Sequence, residues 1–127
     1  MILKNFELNK IDLNTNKIVL FYGKNDGLKD ESLNLILKNF KEISKYDEKE
    51  ILENKTYFLE NISSKSLFED KRVIIIKRAT DKILKIIEEI ALKNLDDIII
   101  LISENLEKKS KLRSFFEKDK QNICIAF

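Results

Sequence analysis

One segment organises the chain, and it reads Ile18-Val19-Leu20-Phe21-Tyr22-Gly23-Lys24-Asn25-Asp26-Gly27. Its first five residues are aliphatic or aromatic, which predicts a buried strand. The loop that follows holds both glycines of the protein. Apolar residues then recur at helical spacing and predict an amphipathic helix: Leu33, Ile36, Leu37 and Phe40. A strand, a glycine-containing loop and a helix in this order form the frame of a phosphate-binding P-loop.

The loop lacks much of the chemistry that a working P-loop needs. Counting from Gly23, Lys29 falls at the position of the phosphate-binding lysine, but Leu28 replaces a required glycine and Asp30 replaces the hydroxyl that holds Mg²⁺. A leucine would crowd the backbone N–H groups, and a carboxylate would repel the anion that a helix N-terminus attracts. We therefore interpret the loop, from Gly23 through Gly27 to Asp30, as a degenerate P-loop that is not expected to bind nucleotide.

The composition limits the possible functions. At 127 residues the chain is long enough for one domain with its own core. Its 24 basic and 22 acidic residues leave a net charge of +2, which offers no strong electrostatic case for binding nucleic acid or a membrane surface. The chain has no histidine and one cysteine, so we expect neither a metal site nor a cofactor.

The cysteine and the apolar runs bear on the compartment. Cys124 lies between Ile123 and Ile125 and is expected to be a small core residue. A lone thiol without a disulfide framework fits a reducing cytosol. No apolar run approaches the roughly 18 residues that span a bilayer, and the N-terminus lacks a signal-peptide pattern. We expect a soluble, cytoplasmic domain without a membrane partner.

Alternating strands and helices predict an α/β fold. Val73–Ile76 and Ile98–Ile102 are continuous apolar runs, which are typical of strands covered on both faces. The pattern predicts a three-layer fold, a parallel five-stranded sheet with helices on both faces. The strands are expected near residues 18–22, 42–46, 72–77, 97–103 and 122–126. Residues 1–16 are expected to form a short helix or an extended segment that packs on this sheet.

Helical spacing predicts the elements between the strands. Residues 48–62 and 107–118 are predicted to be helical. Between them, Thr80 or Asp81 can cap another helix that contains Ile83 to Ile90. The residues predicted to face inward are Ile51, Tyr57, Phe58 and Ile62, then Ile83, Ile86, Ile87 and Ile90, and finally Leu112, Phe115 and Phe116.

No catalytic group can be nominated. In P-loop NTPases a second strand ends in acidic residues that position Mg²⁺. Here Val73–Ile76 runs into Lys77-Arg78, and Ile98–Ile102 runs into Ser103-Glu104-Asn105. Without histidine, Ser-His-Asp and Cys-His arrangements are impossible.

The segment before the third predicted strand has an unusual composition, Ser63-Ser64-Lys65-Ser66-Leu67-Phe68-Glu69-Asp70. Two interpretations of its apolar pair are open. Leu67 and Phe68 either turn inward and cap the core, or form an exposed apolar plug that enters a pocket on a partner.

From about Lys17 to Phe127 the sequence resembles the N-terminal domain of the delta subunit of the bacterial DNA polymerase III clamp loader. The resemblance is carried by Phe21-Tyr22-Gly23-Lys24-Asn25-Asp26, by Ser66-Leu67-Phe68 ahead of a strand, and by a lysine-rich segment from Leu106 to Leu112. It implies the core fold of AAA+ ATPases without ATPase activity, and the spatial strand order fifth, first, fourth, third, second.

The resemblance also implies a function. Leu67 and Phe68 would insert into the hydrophobic pocket of the beta sliding clamp and help to open the ring for loading onto primed DNA during replication. Ser66 would flank this plug, and Ser63 stands where many clamp-binding peptides carry glutamine. Residues 1–127 would be the single AAA+-like domain of an accessory subunit of the polymerase holoenzyme, not an enzyme by itself.

The resemblance also bears on further partners, and two alternative functions stay open beside it. Family members continue with a helical domain and a collar domain, absent here, which would contact the other clamp-loader subunits. DNA contact is expected to be indirect or weak. One alternative function is a divergent P-loop nucleotide-binding NTPase or kinase, and another is an interaction domain with unrelated partners.

Overall fold

The computed structural model describes residues 1–63, 72–93 and 95–127, with the side chain of Ser63 outside the description. The strands are β1 (Ile2–Lys4), β2 (Ile18–Tyr22), β3 (Glu42–Asp47), β4 (Arg72–Lys77), β5 (Ile98–Ile102) and β6 (Ile123–Ala126). The α-helices are α1 (Asp26–Leu37), α2 (Glu48–Glu53), α3 (Lys55–Ser63), α4 (Leu84–Leu92) and α5 (Lys111–Lys118). Short 3-10 helices span Asn5–Lys10 and Asp81–Ile83.

The strands form one parallel sheet in the order β1-β6-β2-β5-β4-β3. All five predicted strands are present, and their spatial order is the expected one. The predicted number was too low, because the described residues form six strands. The missed strand, β1, pairs Ile2 with Cys124 and Lys4 with Ala126 along the edge of β6. It spans only three residues and depends on this pairing, so its sequence alone carries no strand pattern.

Helices cover both faces of the sheet, as predicted. On one face, Leu20 and Ile76 pack in a core with buried residues of α2, α3, α4 and α5. On the other face, Phe21 and Ile75 pack with Leu33 of α1 and with apolar residues of the leading segment. The strands are therefore buried from two sides, which explains their continuous apolar runs.

Most predicted helical faces are confirmed. Ile51, Phe58 and Ile62 are buried, and so is the whole isoleucine stripe of α4 with the preceding Ile83. Tyr57 was wrongly predicted to face inward, since it is 66% exposed. Adjacent helical residues point about 100° apart, and in α3 the inward position belongs to Phe58.

The last helix begins later than predicted, at Lys111 instead of Glu107. Ser110 caps it, because its hydroxyl accepts a hydrogen bond from the Arg113 N–H. The Asp81 carboxylate in turn accepts hydrogen bonds from the Ser110 hydroxyl and from the N–H groups of Lys111 and Leu112. These bonds lower the pKa of the Asp81 carboxyl. A carboxylate from another element thus sets where the helix starts.

Cys124 is fully buried, as predicted, and burial raises the pKa of its thiol to about 11. The thiolate is the nucleophile that attacks a thiol reagent, so we expect negligible labelling of the native protein at pH 8 and fast labelling in denaturant. The raised pKa also means that stability falls as the pH rises from about 9 towards 11. Labelling kinetics measured across a urea series test the prediction, which rapid labelling in native buffer would contradict.

None of the helices in the described part of the chain combines the length and the apolar character needed to cross a bilayer.

Candidate functional site

The candidate site lies at the carboxyl ends of β2, β5 and β4, the edge at which parallel α/β sheets commonly bind ligands. The glycine loop (Gly23–Asp30) leaves β2 at this edge and enters α1. Asn25 caps the helix, since its side-chain oxygen accepts a hydrogen bond from the Leu28 N–H at 3.1 Å. This cap occupies an N–H group of the first helical turn.

Lys29 is folded back into the glycine loop. Its ammonium donates hydrogen bonds to the carbonyl oxygens of Gly23 at 2.8 Å and Ser103 at 2.9 Å. It also forms an ion pair with the Asp26 carboxylate at 3.0 Å. The Lys29 side chain is only 4% exposed, although the Asp26 side chain is 85% exposed. The ammonium therefore has three oxygen partners within the protein.

These contacts reverse the usual polarity of a phosphate-binding loop. In a P-loop, backbone N–H groups point at the phosphates and the lysine reaches them. Here two carbonyl oxygens face the lysine, and the Leu28 N–H is already bonded to Asn25. An entering phosphate would meet acceptor oxygens, and it would have to draw Lys29 away from them.

Gly23 is required by a close approach of the chain. Its φ is +127°, which L side chains rarely adopt, and an added Cβ would lie 1.9 Å from the Phe127 carbonyl oxygen. The Phe127 N–H donates to the Tyr22 carbonyl at 2.8 Å, and the Gly23 N–H donates to the Glu104 carbonyl at 3.2 Å. The glycine thus allows β2 to leave the sheet beneath the residue that follows β6, a role independent of phosphate.

The neighbouring strand ends contribute charges of both signs. Arg78, at φ +56°, pairs with the Asp47 carboxylate at 2.6 Å. A cleft of about 450 Å³ beside α1 is lined by Lys45 and Lys77 but also by Asp30 and other acidic groups. Because its walls are mixed in sign, the cleft does not present a single-signed field to a polyanion. Among residues 1–63, 72–93 and 95–127, no cluster of three or more His, Cys, Asp or Glu could hold a metal ion.

The predicted clamp-binding residues Ser66, Leu67 and Phe68 lie outside the described residues. Ser63 is the last residue of α3, and its side chain is likewise not described. The two readings of the Leu67-Phe68 pair therefore both stay open.

Arg72, the first residue of β4, connects the described residues on the two sides of this segment. Its guanidinium donates to the Asn61 carbonyl at 3.1 Å and to the Asp97 carboxylate at 2.8 Å. Both charged side chains are largely buried, at 14% and 17% exposure. Arg72 thereby joins the last turn of α3 to the start of β4 and to the residue before β5.

Sequence reasoning missed this ion pair. A signal was present, because Arg72 and Asp97 immediately precede the two continuous apolar runs. Pairing Val73 with Ile98 in a parallel register places the two preceding residues side by side. The register itself, however, was not predicted.

A comparison of the sequence with models of protein families matches none of them, and a comparison with curated proteins finds no significant relative.

Proposed function

We propose that this chain is a non-catalytic clamp-loader module that binds the beta sliding clamp through a Leu67-Phe68 plug and helps to open the ring. The structural observation that supports the proposal is the strand order of the sheet. The order β6-β2-β5-β4-β3 is the order that the resemblance to the delta subunit implies. Many unrelated functions share such sheets, so the clamp-binding role rests on the Ser66-Leu67-Phe68 sequence and its position before β4.

The residues on both sides of the proposed plug are anchored in the fold, which favours binding through the segment between them. Ile62, in the last turn of α3, is buried, and Arg72 anchors the start of β4. Anchored flanks lower the entropy that a segment loses when it orders on a partner. Arg72 begins β4 at the amino edge of the sheet, whereas the glycine loop lies at the carboxyl edge. The first described residue after the proposed plug segment therefore lies at the opposite edge of the sheet from the degenerate P-loop.

The experiment that tests this function is a competition. The purified sliding clamp of the same organism is saturated with a peptide that copies Ser63–Asp70, and its capture by the immobilised chain is then measured. We expect the peptide to abolish capture, because both would occupy one hydrophobic pocket. Capture that persists at saturating peptide would show that the chain contacts the clamp by other residues.

The geometry of the glycine loop argues against the alternative of a P-loop NTPase. Lys29 is engaged by carbonyl oxygens, and Lys77-Arg78 stand where a Mg²⁺ site would need carboxylates. We therefore propose that the AAA+-like core of this chain has no working nucleotide site.

Titration with ATP or GTP in the presence of Mg²⁺ is accordingly expected to leave the thermal stability unchanged. A ligand at a hundred times its dissociation constant would stabilise the fold by about 2.7 kcal/mol, which a thermal melt detects easily. A saturable rise in Tm with nucleotide would contradict this proposal and favour the P-loop NTPase alternative.

A further inference from the structure

The carboxyl edge of the sheet holds an oxygen-lined site that is already filled. Its three acceptors are the carbonyl oxygens of Gly23 and Ser103 and the carboxylate of Asp26. The two carbonyls follow β2 and β5, which are neighbours in the sheet. An ammonium has three hydrogens and no acceptor, so the Lys29 side chain matches this set of oxygens.

We infer that the glycine loop is a cation cradle, in which the Lys29 ammonium is a permanent internal ligand that holds the ends of β2 and β5 together. A P-loop orders itself around the phosphates of a nucleotide, whereas this loop is ordered around a cation supplied by its own helix. The carboxyl edge is then fixed in one arrangement whether or not nucleotide is present. This inference concerns the carboxyl edge of the sheet and does not depend on clamp binding.

Because the Lys29 side chain is buried, loss of its ammonium is expected to destabilise the fold. A buried polar group that loses its partner keeps its desolvation penalty. Removal of the ammonium would leave the carbonyl oxygens of Gly23 and Ser103 without the donor that they now share, whereas the exposed Asp26 carboxylate would stay solvated. If Lys29 contributed only its aliphatic stem, a side chain of similar length without the charge would replace it at little cost.

Two substitutions separate these contributions. Lys29→Met retains an unbranched stem and removes the ammonium, and we expect its Tm to fall by roughly 6–15 °C. Lys24→Met is the matched control, because Lys24 is exposed in the same loop, and its Tm should match that of the wild type. Equal Tm values for Lys29→Met and the wild type would overturn the inference.

Chemical rescue tests the cradle directly. Lys29→Ala removes the side chain beyond Cβ, and n-propylammonium supplies the missing three carbons and the ammonium. We expect n-propylammonium chloride to raise the Tm of Lys29→Ala saturably. Tetramethylammonium chloride, which has no N–H donor, should not do so, and neither salt should raise the Tm of the wild type. Equal responses to the two salts would contradict a cation cradle.

The wild-type protein provides a measurement that does not require a folded variant. Hydrogen-bonded, buried ammonium protons exchange slowly with water. In ¹⁵N NMR spectra we expect the Nζ protons of Lys29 to exchange more slowly than those of Lys24. Equal exchange rates would show that the Lys29 ammonium is not held, whatever the stability of the variants.

Discussion

Replacing Leu67 and Phe68 together by alanine is expected to weaken binding to the sliding clamp by about two to four orders of magnitude. Full burial of each side chain contributes roughly 1.5–3 kcal/mol, so the pair would account for about 3–6 kcal/mol of the binding free energy. Interfaces commonly concentrate their energy in a few such anchors. The measurement is a pair of clamp-binding isotherms, for the wild type and the double variant.

The folding stability of the same variant decides between the two readings of the apolar pair. If Leu67 and Phe68 form an exposed plug, the free energy of unfolding should change by no more than about 1 kcal/mol. If they cap the core instead, several kcal/mol should be lost from folding. Lys65→Ala serves as the control in the same segment and should leave clamp binding nearly unchanged. A folded double variant with unchanged clamp binding would end the plug hypothesis.

The second large effect is expected at Gly23. In Gly23→Ala the new Cβ would meet the carbonyl oxygen, carbonyl carbon and nitrogen of Phe127, at 1.9, 2.8 and 2.8 Å. These are backbone atoms of a residue whose N–H is hydrogen-bonded to the Tyr22 carbonyl of β2, so they cannot move aside as the end of a flexible side chain would. The unfavourable φ adds strain. We expect a loss of roughly 2–6 kcal/mol in the free energy of unfolding.

The other glycine of the chain provides a matched control. In Gly27→Ala the nearest atom to the new Cβ would be Asn25 Oδ1 at 3.8 Å, which is an ordinary contact. Gly27 lies in the first turn of α1, where alanine is expected to be neutral or to stabilise by up to about 1 kcal/mol. Urea melts of both variants test the pair. Equal effects at the two glycines would contradict the packing of Phe127 against the loop.

The sequence predicted the strands well where burial alone determines their pattern. Val73–Ile76 and Ile98–Ile102 are apolar at every position because both faces of the sheet are covered. By contrast, β1 has too few residues for a pattern and forms by pairing with β6. The strand order came from the family resemblance and not from periodicity.

The contacts at the candidate site could not be predicted, because they join residues that are distant in sequence. Counting along the P-loop motif identified Lys29 as the lysine position, but its partner Ser103 lies at the end of another strand. Likewise, both glycines were assigned to a degenerate P-loop, and only the proximity of Phe127 separates the role of Gly23 from that of Gly27. Leu67 and Phe68 remain a prediction from the sequence.

The most direct test of the proposed function is a titration of the wild-type chain onto the immobilised sliding clamp of the same organism, followed by surface plasmon resonance. We predict a saturable response that a peptide copying Ser63–Asp70 suppresses. The absence of any saturable response from a folded chain would contradict the proposal that this protein is a clamp-binding module.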